Sequence, residues 1–370
     1  MARPFTALIK PASSACNMRC RYCFYADEAR SRAVANYGLM TADTLERLVE
    51  KAFAYATGPV SFAFQGGEPT LAGLDFYKAL MAFEKKHNAR RLPVSNAIQT
   101  NGLLIDGDWA RFLHDNRFLV GLSMDGYGAL HDSLRPDAAG GGTFARACEA
   151  AALMTKYGVD FNILCVVSGP VARHGEKVYK YFRNHRFNYL QFIPCLDPLE
   201  AEPGEWSLTA ADYGRFLRET FALYYDDFMS GRPVSVRQFD NYVGMLLGQP
   251  PESCGMSGVC ANYFTIEGDG SVYPCDFYVL DEWKMGNINT DSIQDMAASE
   301  AARRFVEVSR PVNEKCAACR WLPLCRGGCR RNREPIAENA LNQFCPAYEA
   351  FFDYAYEGLR RIAAAVQGRR

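Results

Sequence analysis

Cys16, Cys20 and Cys23 stand in the run Cys-Asn-Met-Arg-Cys-Arg-Tyr-Cys, with three and then two residues between them. Three thiolates on one short loop can hold three irons of a cubane cluster and leave the fourth iron open to a chelating molecule. The plain alternative is a zinc loop. Zinc needs a fourth ligand close by, and no His or Cys lies between Cys23 and His87. A second set, Cys254, Cys260, Cys275, Cys316, Cys319, Cys325, Cys329 and Cys345, places eight thiols within 92 positions. Eight ligands divide into two four-cysteine sites, and spacing alone does not separate iron from zinc.

Such loops need a scaffold, and the first 230 residues or so supply one by alternating strand-like and helix-like segments, the signature of a parallel sheet with crossover helices. Six strands are expected, near residues 5–10, 60–64, 94–99, 118–123, 161–167 and 189–193. Helices are expected near 41–56, 74–87, 108–116, 143–157, 176–185 and 210–229, with Thr41 and Thr209 as marked starts. Six units fall short of the eight of a full barrel, so the fold class is α/β, a partial (β/α)6 TIM-like barrel. Each unusual group follows a strand's C-terminal end, where barrel active sites are built. The cysteine loop follows the first strand, Gln65-Gly66-Gly67-Glu68-Pro69 the second, Ser123-Met124-Asp125-Gly126 the fourth and Cys195-Leu196-Asp197-Pro198 the sixth. The glycine pair would let a ligand approach the backbone with no Cβ in the way.

The 370 residues are 49% hydrophobic with a formal net charge of -1, which gives no charge-driven case for nucleic acid or membrane. No signal peptide is visible in the first ten residues. Fourteen cysteines without an export signal point to thiolates used as ligands in a reducing compartment, so a cytoplasmic location is expected. Cys148, Cys165 and Cys195 read as small buried side chains, and the stripe Phe221, Tyr224, Tyr225, Phe228 as core. Arg326, Arg330, Arg331 and Arg333 read as a basic patch, either a solvated face or a dock for an acidic electron donor.

The three-cysteine loop, with Tyr22 directly before its third cysteine, resembles the radical S-adenosylmethionine (SAM) enzymes. The order Cys260, Gly270, Cys275, Cys316-x2-Cys319-x5-Cys325-x3-Cys329 and a last cysteine resembles their SPASM extension. Among these, the chain is similar to the anaerobic sulfatase-maturating enzymes along Leu8–Ser14, Phe62–Gly73, Phe118–Gly126, Phe161–Val167 and Tyr273–Asp281. That resemblance implies a barrel over 1–235 and, over 236–370, a SPASM domain with a C-terminal helix. It also implies three [4Fe-4S] clusters and SAM. Cys16, Cys20 and Cys23 would hold the first cluster, Cys254, Cys260, Cys275 and Cys329 the nearer auxiliary one, and Cys316, Cys319, Cys325 and Cys345 the farther. Tyr22, Gly66, Gly67, Glu68, Ser123, Arg135 and Leu196 would bind SAM, and Tyr25 and Gln65 would line the substrate cavity.

The implied reaction converts a Cys or Ser in a sulfatase segment of the type Cys/Ser-x-Pro/Ala-x-Arg to Cα-formylglycine. A 5′-deoxyadenosyl radical removes hydrogen from Cβ, Asp276 accepts the proton, and an auxiliary cluster takes the surplus electron. A flavodoxin or ferredoxin would be the reductant and the protein a monomer. The competing readings are a SPASM peptide maturase that makes a thioether or carbon-carbon crosslink, and a zinc-rich binding scaffold.

Overall fold

The computed structural model describes residues 2–199, 202–333 and 341–368. Two compact units emerge, one of Met1–Ser123, Arg135–Phe161 and Ala261–Val306, the other of Met124–Leu134, Asn162–Cys260 and Glu307–Arg370.

The first unit is built on β1 (Phe5–Ile9), β2 (Val60–Phe64), β3 (Val94–Thr100) and β4 (Leu119–Ser123), all parallel and hydrogen-bonded in that order. In β1 and β2 burial alternates: Phe5, Ala7 and Ile9, then Val60, Phe62 and Phe64, are buried, with half-buried residues between. The helices Ala42–Tyr55, Leu74–His87, Gly107–Asp115 and Phe144–Tyr157 return the chain between strands. Thr41 caps the first of these by accepting from Thr44 N at 3.2 Å, as its sequence position predicts. Three short strands of this unit were not expected, nor was the two-residue strand Ser235–Val236 of the other. β8 (Thr265–Ile266) pairs parallel with β1, and β9 (Ser271–Tyr273) and β10 (Gly286–Asn287) continue antiparallel.

The second unit holds β5 (Phe161–Val167), β6 (Tyr189–Pro194) and β7 (Ser235–Val236), again parallel. Its helix Ala210–Met229 packs on the long final helix Cys345–Gln367. Gly214 permits their close approach, since a Cβ there would lie 3.2 Å from Ala347 Cα. Half of the aromatic stripe is core: Phe221 and Tyr224 are buried, Phe221 meeting Phe239 at 5.3 Å and Phe351 at 5.7 Å between ring centroids, while Tyr225 and Phe228 are half-buried. Strand and helix positions follow the α/β alternation read from the sequence. Among the described residues no helix is long and apolar enough to cross a membrane.

Candidate active site

In the first unit, the cysteine loop is tied to the loops after β2 and β3. Glu68 N donates to Ala15 O at 2.8 Å, and a Cβ on Gly67 would stand only 2.2 Å from that same carbonyl. Gly67 (φ +49°) and Gly66 (φ +80°) are therefore required by the chain's own packing, on the side where a side chain would project. The Glu68 carboxylate is buried and takes four donors: Thr70 N at 3.0 Å, Thr70 Oγ1 at 2.6 Å, Thr100 Oγ1 at 2.8 Å and Asn101 N at 2.8 Å. Burial still holds its pKa above the ordinary value, with these donors pulling the other way. Asn101 in turn donates from Nδ2 to Asn17 Oδ1 at 2.8 Å, inside the cysteine loop.

Met18 N points at Cys16 Sγ at 3.4 Å, and burial pushes the Cys16 thiol up to about 11. A thiol so placed ionises only with a strong partner, such as iron. Arg135 donates to Tyr22 Oη at 2.8 Å, both residues being buried, and Ser123 is buried at the end of β4. Tyr22, Gly66, Gly67, Glu68, Ser123 and Arg135 thus all belong to the unit that carries the three-cysteine loop.

Asp276 follows Cys275 in a short turn, Asp276–Tyr278, and is 9% exposed. Tyr25, on the helix Phe24–Arg30 that starts directly after Cys23, donates from its phenol to Asp276 Oδ2 at 2.8 Å. Oδ1 is buried and makes no hydrogen bond of good geometry, although Gln65 stands near enough to draw the carboxyl pKa down. Burial raises Asp276 to about 6, against the pull of Lys10 and the Tyr25 hydrogen bond. Behind this pair lies a buried charge cluster. Lys10 Nζ is 2.8 Å from Glu267 Oε1 and 3.7 Å from Glu28 Oε2, and Arg32 pairs with Glu267 at 2.6 Å. Burial lifts Glu28 to about 8, while Lys10 and Arg32 outweigh burial at Glu267 and keep it below the usual range.

Lys10, Glu28, Arg32 and Glu267 were not singled out in the sequence. Glu28 and Arg32 sit in the charged run Asp27-Glu-Ala-Arg-Ser-Arg32, which reads as a solvated helix face, and Glu267 in Glu-Gly-Asp-Gly reads as a turn. A cation in apolar company at the end of a core strand, as at Lys10, was the available signal.

In the second unit, Cys316, Cys319, Cys325 and Cys345 line one cavity, together with Lys315, Trp321 and Tyr348. Burial pushes Cys325 to about 11, with Cys316, Cys345 and Cys319 adding to the rise. Cys329 is pushed to about 12 by burial and by the nearby Cys254 and Cys260. Cys275 belongs to the first unit, and Leu196 follows β6 in the second. Among the described residues no three His, Cys, Asp or Glu are gathered tightly enough for a single metal ion. A cubane needs no such gathering, because each thiolate binds its own iron. The expected basic patch is not a patch: Arg330 and Arg331 are buried, Arg331 donates to Asp197 O at 2.9 Å, and Arg333 reaches Ser309 O and Pro311 O.

Comparison with known proteins agrees with this donor set. Residues 11–181 match the Radical SAM superfamily and residues 254–320 an iron-sulfur cluster-binding domain, SPASM. The chain is 48% identical over 364 residues to a cysteine-type anaerobic sulfatase-maturating enzyme of Clostridium perfringens, covering 97% of this chain and 98% of that one. The chain belongs to the anaerobic sulfatase-maturating enzymes. It is a radical SAM enzyme, and membership implies a [4Fe-4S] cluster with SAM and, from the SPASM match, further Fe-S clusters. A serine-type maturating enzyme of Bacteroides thetaiotaomicron is 29% identical over 95% of this chain and 90% of its own length. Among solved structures, anSMEcpe with bound AdoMet and the Cp18Cys peptide superimposes with a TM-score of 0.94 at 47% identity, over 98% of this chain and 99% of that one. That match carries the fold class expected for this maturating enzyme.

Proposed function

We propose that this protein oxidises a specific Cys of a sulfatase polypeptide to Cα-formylglycine, with Asp276 as the proton acceptor. The observation that carries the reading is the Tyr25–Asp276 pair: one carboxylate oxygen is fixed by the phenol at 2.8 Å, and the other is buried without a hydrogen bond of good geometry. A carboxylate held in this way has a defined free lone pair to offer a substrate proton. The choice of Cys over Ser rests on 48% identity to the cysteine-type relative against 29% to the serine-type one.

When bound, the clusters and SAM supply a 5′-deoxyadenosyl radical that can remove hydrogen from the substrate's Cβ, and a sink for the electron left behind. The chain's own residues do the rest. Cys16, Cys20 and Cys23 hold the first cluster; Cys254, Cys260, Cys275 and Cys329, then Cys316, Cys319, Cys325 and Cys345, hold two auxiliary ones. Arg135, oriented by Tyr22, offers its guanidinium to the SAM carboxylate, and Ser123 its hydroxyl to the ribose. Gly66, Gly67 and Leu196 shape the SAM cavity. Glu68 braces it, binding Thr100 and Asn101 through its side chain and Ala15 through its backbone. Asp276, mostly ionised at neutral pH with a pKa of about 6, takes the thiol proton of the substrate. Loss of the electron leaves a thioaldehyde, which water converts to the aldehyde with release of hydrogen sulfide. Flavodoxin or ferredoxin as reductant, a monomeric state and a cytoplasmic location complete the reading.

The test is an anaerobic reaction of the iron-reconstituted protein with SAM, reductant and paired Cys-x-Pro-x-Arg and Ser-x-Pro-x-Arg peptides. We expect 5′-deoxyadenosine and a trappable aldehyde from the Cys peptide, and aldehyde lost on Asp276→Asn. SAM cleavage with no aldehyde from either peptide would move the assignment to a crosslinking maturase.

A further inference from the structure

Lys10 is the first residue after β1, and its side chain is 1% exposed. Lysine is almost never buried this fully unless paired. Its ammonium meets Glu267 at 2.8 Å and Glu28 at 3.7 Å, and lies over the Tyr25 ring, 5.0 Å from the centroid. Arg32 grips Glu267 on the same oxygen, so the anchor of the ammonium is itself held. The aliphatic stem is confined as well. A Cβ on Gly66 would stand 2.5 Å from Lys10 Cγ and 2.6 Å from Cε. With its charged end anchored, the stem has no room to swing away from an added methyl group.

We infer that Lys10 is a positioning residue for the Tyr25–Asp276 pair: its cation fixes the Tyr25 ring so that the phenol reaches Asp276, and position 66 is glycine because the Lys10 stem fills the space of a Cβ. The inference rests on the reading of Asp276 as proton acceptor. Tyr25 is only half-buried, and its ring makes a close contact with Phe24 at 3.9 Å between centroids, a neighbour on its own helix. The face turned to Lys10 is the one that a desolvated cation can grip, and a cation over an aromatic face in a dry setting is among the stronger such contacts. Lys10 itself touches neither substrate nor cofactor in this reading. It acts from behind the Tyr25–Asp276 pair.

The variant that isolates the charge is Lys10→Met, which keeps a stem of similar length. Cluster-loaded enzyme is given SAM, reductant and the Cys peptide, and 5′-deoxyadenosine released per aldehyde formed is measured. In the parent the two should be close to equal. In Lys10→Met the ratio should rise about tenfold, because hydrogen abstraction continues while the proton acceptor is misplaced. Protein that fails to take up its first cluster adds to neither quantity, so the ratio reports the loaded fraction alone. Asp276→Asn is run in parallel. If it leaves the ratio at the parental value, the proton-acceptor reading fails; if it raises the ratio and Lys10→Met does not, the role of Lys10 alone is overturned.

A readout without turnover tests the packing half. Gly66→Ala should lower the thermal midpoint of the cluster-loaded protein, and the drop should shrink by at least half in a Lys10→Ala background. Equal drops in the two backgrounds would show that Gly66 answers only to its backbone angle.

Discussion

Glu28 and Asp276 are carboxyls 248 positions apart in the chain (276 minus 28) that feel each other's charge in one buried cluster, and burial raises both, so stability and activity are expected to respond to pH in opposite directions. Burial raises Glu28 to about 8 from an ordinary 4.5. Below the ordinary value it is protonated in both folded and unfolded chains, and its contribution to stability is fully present. As pH rises towards about 8 the unfolded chain ionises first, so that stability is lost. Asp276 adds a loss of the same sign between 3.8 and about 6, leaving the interval from 6 to 8 to Glu28. We expect thermal melting of cluster-loaded protein to fall across that interval and Glu28→Gln to flatten the fall. Activity should run the other way at its lower end. Asp276 must be ionised to accept a proton, so aldehyde formation should drop as pH falls below about 6. Single-turnover aldehyde yields between pH 5 and pH 8, where the Asp276 value of about 6 falls, check this, and a yield flat across that range would remove Asp276 as the acceptor.

At the level of elements, the loops after β1, β2 and β3 behave as one braced unit. Gly67 meets the Ala15 carbonyl, Glu68 binds that carbonyl through its N–H and Thr100 and Asn101 through its carboxylate, and Asn101 returns to Asn17. Gly67→Ala would push a methyl group into backbone, which cannot rotate aside as a side chain can, so the cysteine loop itself must move. Iron content of the first cluster and SAM cleavage should both collapse, while Gly73→Ala, at a positive-φ glycine with nothing within 4 Å of its added Cβ, should retain most of both. These loops were legible because strand ends could be read. Val60-Ser-Phe-Ala-Phe64 alternates as a strand must, and Thr41 and Thr209 mark helix starts that the structure bears out, with Thr209 accepting from Asp212 N at 3.1 Å. β8 to β10 were not legible. Two or three residues carry no periodicity, and buried Thr265, Glu267 and Ser271 look like surface. The Lys10 cluster was missed because its charges are satisfied by partners far away in sequence; only the apolar strand before Lys10 hints at burial, while Glu28, Arg32 and Glu267 carry no local sign of it.

Over the whole molecule, the thiols form the largest single commitment of chemistry. Eleven of fourteen cysteines fall in the three expected ligand sets, while Cys165 and Cys195 are buried and Cys148 half-buried outside them. Burial raises several of the ligand thiols, Cys329 to about 12 and Cys16 and Cys325 to about 11, so without a metal these groups are neutral thiols, and binding a metal there would release protons. If the chain holds the three [4Fe-4S] clusters proposed above, it carries about 12 irons. A zinc scaffold with the same cysteines would hold zinc and no iron, and would be colourless. Replacing Cys16, Cys20 and Cys23 together by Ala should leave about 8 irons and abolish SAM cleavage, since only the first cluster is left with an open iron. Iron falling to near zero in that variant would mean that the thiols from Cys254 to Cys345 bind no iron of their own. Iron unchanged would mean that the first loop is no cluster site. Elemental analysis beside SAM-cleavage assays separates all of these, and does so without a peptide substrate, so the cluster assignment stands or falls apart from the choice between aldehyde formation and crosslinking.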